Sequence, residues 1–290
     1  MRTLTLFLLL VSVMTSAQLN RFIYEYSFRA DSTRRDSLRT EWMYLDVDEK
    51  ASKYYSKTAF DADSIMNDNL KKQLAAGMGN ISISRQNYGD AVRYKVEKSH
   101  PSYKTFLITE IGNQSYRVTE DRAINWKISS ENKQIGEFKA QKATTQFAGR
   151  TWTAWFTPEI PIQEGPYKFH GLPGLIVAVE DATGSHRMEL KAVKKVAALQ
   201  QEILDTKGRE IPLLARQPLD VSRAQYVKQL KQYENDPVQG MREMLNRPNS
   251  TVKINVNGTE FTDPKDILKV MEKSARERLA SNNNKIELQP

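Results

Sequence analysis

Apolar and polar positions alternate with period two through most of the first two thirds of the chain. In residues 20–29, Phe22, Tyr24, Tyr26 and Phe28 share one face, and Ile23 and Glu25 lie on the other. Aromatic residues at that period describe a half-buried strand. Residues 41–47 and 52–56 repeat the pattern and close as a hairpin about Asp48-Glu49-Lys50. No helical segment separates these strands, so they are expected to pair antiparallel. The period then changes. Ile65, Leu70 and Leu74 recur at helical spacing, with Asp61 or Asp63 as cap and Gly77 and Gly79 as stop, which predicts a helix over 61–76. Short β-branched and aromatic runs resume at 81–85, 91–98, 104–111, 115–119 and 124–128. A further hairpin, 136–147 with 150–156, turns at Ala148-Gly149.

Beyond residue 190 the pattern shifts again. Residues 190–196 finish a strand, 199–204 add another, Gly208 turns the chain, and 212–218 form a link. Residues 222–235 read as a helix capped by Ser222, with Tyr226, Leu230 and Tyr233 facing inward. Pro237 breaks it, and a short helix follows at 238–245. Asn257-Gly258 marks a hairpin over 251–261. Asp263-Pro264 opens a last helix with Ile267, Met271, Ala275 and Leu279 on one face, and the residues after 284 read as a tail. The expected class is α+β: a long, twisted, curved antiparallel sheet of meander type, with helices, mainly C-terminal, flanking or plugging one side. The expected division is a sheet domain, 18–200, and a helix-rich extension, 201–290, packed on it.

Residues 1–17 change the picture of where the protein works. Arg2 precedes an apolar run, 4–14, and Thr15-Ser16-Ala17 supplies small residues before Gln18. This is the pattern of a cleaved secretory signal, and the run is shorter than the roughly 20 residues a membrane helix needs. The expectation is export by the Sec route to the periplasm or beyond. The chain has no Cys. Disulfides, thiolate metal sites and Cys nucleophiles are therefore excluded, and the core alone must hold the fold. Its formal charge of +8 is spread along the sequence. That reads as solvated surface rather than a nucleic-acid footprint, and leaves at most weak contact with an anionic membrane surface.

The stretch 152–189 concentrates unusual residues. Trp152, Ala154 and Phe156 face one way and Trp155 the other, while Pro158 and Pro161 must end pairing or lie at an edge. Gly165-Pro166 signals a turn, and Gly171-Leu172-Pro173-Gly174-Leu175-Ile176 follows. Gly171 and Gly174 supply backbone angles or close approaches that other residues resist, and Pro173 stiffens the turn. Two readings stand side by side. One is a pocket floor where a ligand meets bare backbone, lined by Trp152, Trp155, His170, Gly171, Leu172, Pro173 and Gly174. The other is a corner that feeds a buried strand, with Leu172, Leu175 and Val177 locking it to the sheet. A phosphate cradle does not fit, because no lysine follows the second glycine and a strand comes next.

This string, with the aromatic strand before it, Gly165-Pro166 and Phe169, resembles the signature of the GLPGLI family of exported bacterial proteins. The resemblance implies export, a β-rich fold and no known cofactor. It carries over no catalytic residue, since the family has no established activity.

The sequence carries no catalytic signature of its own. His170 and His186 with Asp181 are the candidates for acid–base or metal chemistry, but their spacing matches no metal motif and GxSxG is absent. The first expectation is a non-catalytic binding or carrier module for an apolar ligand or peptide, held in the concavity of the sheet. The alternatives are a hydrolase of an envelope polymer using those histidines and carboxylates, and an accessory partner of an outer-membrane complex.

Overall fold

The computed structural model describes residues 18–34, 36–76, 92–112, 114–197, 217–247, 252–256 and 258–290. The expected leader at 1–17, the strands at 81–85 and 199–204, and the stops and turns at Gly77, Gly79 and Gly208 lie outside them. Three strands open the described chain: β1 (Gln18–Phe28), β2 (Arg39–Val47) and β3 (Ala51–Ser56). Helix α1 (Lys57–Ala75) follows, then β4 (Lys95–Ser99), β5 (Thr105–Ile111) and β6 (Gln114–Thr119). A second series comprises β7 (Lys127–Ile135), β8 (Phe138–Phe147), β9 (Arg150–Thr157), β10 (Leu175–Asp181) and β11 (His186–Ala197). The C-terminal part holds β12 (Leu219–Ser222), α2 (Arg223–Asn235), α3 (Gln239–Leu245), the hairpin β13 (Ile254–Val256) and β14 (Thr259–Phe261), and α4 (Pro264–Ala280).

Twelve strands form one sheet in the order β12-β6-β5-β4-β3-β2-β1-β11-β10-β9-β8-β7. The expected single meander is thus two. One runs outward from β1 to β6. The other enters at the far edge, β7, and works back until β11 pairs with β1. All pairings are antiparallel except β12 with β6, which makes the sheet mixed. β12 escapes sequence reading because four residues, mostly exposed, carry no alternation.

The connection between the two meanders forces curvature. Residues 120–126 join β6 to β7, which stand ten strand steps apart. A flat sheet would separate them by about 48 Å. A fully extended link of that length reaches only about 28 Å. The sheet must therefore curl until its two ends approach each other.

One row of side chains shows how the concave face is built. Phe22 lies opposite Leu45, Leu45 opposite Tyr54, Tyr54 opposite Val96, Val96 opposite Leu107, and Leu107 opposite Val118. All six are buried. On the other side of β1 the row runs from Tyr26 through Met188, Val179 and Ala154 to Ala143. The convex face carries Arg21, Tyr44 and Tyr55, and α1 packs there through Phe60, whose ring lies 5.6 Å from that of Tyr55.

α2 packs on the other face, where the Tyr226 ring lies 6.3 Å from that of Tyr116, so the helices lie on both faces. Four occur among the described residues, and the longest, α1, is in the N-terminal half, so "mainly C-terminal" holds only in part. α1 begins at Lys57 rather than Asp61, because the Ser56 hydroxyl accepts from the Ala59 amide and caps it. Ile65, expected inward, is exposed. The C-terminal signals hold closely. Ser222 forms a capping box with Gln225, and Asp263 caps α4 with Pro264 at its first position. Ile267 and Ala275 are buried as their spacing predicts.

What fills the concavity is not a helix. Residues 158–174, between β9 and β10, fold back under the sheet, and 164–169 are buried without a break. Phe169 is a hub, with Trp152 at 4.9 Å, Trp126 at 5.9 Å, and Phe147 and Tyr167 at 6.1 Å. In the corner after it, position 174 tolerates no side chain. A Cβ on Gly174 (φ +147°) would stand 2.1 Å from the Thr157 carbonyl oxygen, whereas one on Gly171 (φ +87°) meets nothing within 4 Å. Gly174→Ala is expected to cost more than about 3 kcal/mol, because backbone must move. Gly171→Ala is expected to cost only about 1–2 kcal/mol of left-handed strain. Chemical denaturation of both variants checks the difference; equal losses would contradict the close approach.

Candidate functional site

β4 alternates Val96 and Lys98 on its concave face, so the pleat delivers a lysine into the interior. Its ammonium lies 2.5 Å from Glu164 of the inserted loop, and both side chains are fully buried. The same Nζ donates to the carbonyls of Gly165, Tyr167 and Phe169 at 2.8, 3.3 and 3.1 Å. Glu164 also accepts from Ser52 at 2.8 Å, and His100 Nε2 lies 2.7 Å away. Burial by itself would raise the Glu164 carboxyl, but the Lys98 charge and the bonds from His100, Lys98 and Ser52 hold it below its ordinary value. Burial pulls Lys98 down, opposed by Glu164. Four acceptors surround Nζ, and the ammonium, with three N–H donors, serves them better than a neutral amine would. A lysine so enclosed is an anchor rather than a nucleophile.

His170 marks the outer end of this loop. Its ring stacks on Tyr103 at 4.9 Å and 8°, and its carbonyl accepts from the Trp126 indole. Burial holds its imidazole down at about 4. His186 sits elsewhere, buried between the Tyr26 hydroxyl at 2.7 Å and the Asn284 carbonyl at 3.1 Å. Burial and the Arg150 charge hold it at about 4 as well. Asp181 meets the backbone amide of His186 and the Arg150 guanidinium. Of the three residues that sequence grouped as one acid–base set, Asp181 and His186 meet through the His186 backbone amide, while His170 has other partners. Among the described residues no three His, Asp or Glu side chains form a group able to hold a metal ion.

The C-terminal tail is a built part of the interior. Arg150 donates to the Asn284 side chain and to the carbonyls of Lys285 and Ile286. Leu288 and Gln289 both donate their amides to the Ala148 carbonyl, which receives them beside the Ala148-Gly149 turn. Glu287 accepts from Tyr167 at 2.6 Å, Lys168 at 2.5 Å and Arg122 at 3.0 Å. Lys168 and Arg122 also share Glu120, whose carboxyl lies at about 2 because these cations outweigh the burial that would raise it.

Two open cavities stand out among the described residues. The larger, about 810 Å³, lies between α2, α4 and the tail. Its walls include Val227, Leu230, Leu279 and Leu288, with Lys231, Glu234, Arg276 and Lys285 among the polar lining. The smaller, about 410 Å³, is a groove on the convex face beside Tyr55, Phe60 and Phe106. Neither includes any of the seven residues that sequence singled out. Trp152, Leu172 and Gly174 are packed into the interior. Trp155 is buried under Lys133 and Lys142, His170 is half-buried, and Gly171 and Pro173 are exposed at the tip of the loop. Sequence reading missed Lys98 and the cleft cations. The single signal for Lys98 is its place in the alternation of β4; that for Lys231 is its position one turn after Val227.

A family model described as "Protein of unknown function (Porph_ging)" matches residues 146–178. These cover β9, the inserted loop and the start of β10. No curated protein matches the chain. Two crystal structures of PNGF-II, in P21 and C2 space groups, superpose with a TM-score of 0.48 each, at 15% and 14% identity. The matches cover 75% of this chain, which spans about a third (34%) of PNGF-II.

Lys98→Met is expected to lose about 3–5 kcal/mol, because Glu164 is left charged and buried. Adding Glu164→Gln should recover a large part of that, as a double-mutant cycle by urea denaturation would show. The pH dependence follows from the histidines and Glu120. His170 and His186 bind fewer protons folded than unfolded, so stability is full above about pH 6.5 and falls as pH drops toward 4. Glu120 adds a second loss between about pH 4.5 and 2. His186→Gln should flatten the upper window by up to about 3 kcal/mol and leave the lower one unchanged, measured as Tm against pH.

Proposed function

We propose that this protein is an exported, non-catalytic binding module of the cell envelope, related to the GLPGLI family, and that its ligand is held in the cleft between α2, α4 and the tail. The observation carrying this reading is the division of space. The concave face, where a ligand was first expected, is occupied by the protein's own loop 158–174 and tail. The cleft of about 810 Å³ stays open and has aliphatic walls. That volume lies within the roughly 300–1,000 Å³ of small-molecule sites.

Family and export rest on residues. The Porph_ging match spans the Gly171-Leu172-Pro173-Gly174-Leu175-Ile176 string, which supports the family relation. The pattern at 1–17 supports export, and no helix among the described residues is long and apolar enough to cross a membrane. The buried placement of Lys98, Glu164 and His186, each satisfied by neighbours, favours binding over hydrolysis.

Native mass spectrometry of the chain purified from an export-competent bacterium tests this. The expected result is loss of residues 1–17 and a retained apolar molecule, released by organic extraction and diminished in Leu279→Trp, which fills the cleft. A bare mass in both proteins would refute ligand carriage.

A further inference from the structure

The cleft is polarised along its length. On α2, Val227, Leu230, Lys231 and Glu234 fall three or four residues apart and share one helix face. That face therefore runs from apolar to charged toward the C-terminal end of the helix. The opposite wall follows the same order. At the N-terminal end of α2, Arg223, which pairs with Asp121 at 2.7 Å, donates to the Pro290 main-chain oxygen at 3.3 Å and so ties the tail, with exposed Leu288, to the wall that carries Val227. At the charged end, Lys285 pairs with Glu234 at 2.6 Å, and Arg276 donates to the Asn235 carbonyl at 3.3 Å. Leu279 stands one turn from Arg276 and lines the same cleft.

The charge at that end is positive. Lys285 is matched by Glu234, and Glu287 is spent on Tyr167, Lys168 and Arg122 in the interior. Lys231 is exposed, and Arg276 pairs with the solvent-exposed Glu272 and also lies near Asp236, itself paired with Arg242. A guest with an anionic head and an aliphatic chain matches this gradient. A peptide fits less well, because the tail backbone that would pair with it already donates the Leu288 and Gln289 amides to Ala148.

We infer that the cleft binds a long-chain fatty acid, with its carboxylate at Lys231 and Arg276 and its chain along Val227, Leu230, Leu279 and Leu288. This rests on the binding-module reading and names its ligand class.

The test uses delipidated full-length exported protein and three probes of equal chain length: palmitate, 1-hexadecanol and hexadecyltrimethylammonium, each below its aggregation limit, by calorimetry. Palmitate is expected to bind one molecule per chain. The cationic probe should bind at least roughly tenfold more weakly, and the alcohol between the two. Lys231→Glu, an exposed change, should weaken palmitate at least roughly tenfold and abolish its preference over the cationic probe. Leu279→Trp should remove binding of all three, with melting temperature confirming that the variants fold. Equal affinity for palmitate and the cationic probe, or unchanged affinity in both variants, overturns the inference. If native mass spectrometry finds a different apolar molecule while palmitate fails, the fatty-acid assignment falls and the binding module stands. If both experiments are empty, both fall.

Discussion

The ion pair between Lys98 and Glu164 is the interaction on which the interior depends. Removing both charges from water is costly, and Coulomb attraction offsets that cost only with further hydrogen bonds. The loop supplies them. Its carbonyls at Gly165, Tyr167 and Phe169 converge on the ammonium, while Ser52 and His100 occupy the carboxylate. Three backbone acceptors on one side chain fix the path of the loop as well as its position. The buried charge thus gives specificity: few other conformations of 158–174 satisfy Nζ, and any that do not leave a charge stranded.

From that anchor the rest of the curl follows. The loop reaches from β3 and β4, through Ser52 and Lys98, to β8 and β9, through Phe147 and Trp152. Those strands stand far apart in the sheet order. A segment that touches both must be wrapped by the sheet, in agreement with the short 120–126 connection. The tail completes the enclosure. Its Glu287 meets Tyr167 and Lys168 of the same loop, so one end of the chain clamps the insertion that its middle makes.

This packing bears on function by subtraction. The hollow of the sheet is taken up by the protein's own aromatic loop, and His186 inside it is satisfied by Tyr26 and Asn284. The larger of the two cavities described lies at the seam where α2 and α4 meet the tail. Helices without deeply buried faces, such as α2, are suited to line such a seam: they stay amphipathic and present aliphatic and cationic groups together.

Local elements were largely legible in the sequence. The hairpins over 41–56 and 136–156, the Ser222 and Asp263 caps and the pairing of 254–256 with 259–261 all follow from short-range rules of period, capping and turn chemistry. The need for glycine at 174 was also readable, though not its cause, the approach of the Thr157 carbonyl. What tertiary structure alone decided is long-range. The pairing of β1 with β11, the parallel addition of β12, the insertion of 158–174 and the docking of the tail join residues up to 255 positions apart. No local period encodes such contacts. Lys98 shows the limit most clearly: alternation puts it on the face of Val96, but only Glu164, brought from 66 positions away in sequence by the fold, makes a lysine acceptable there.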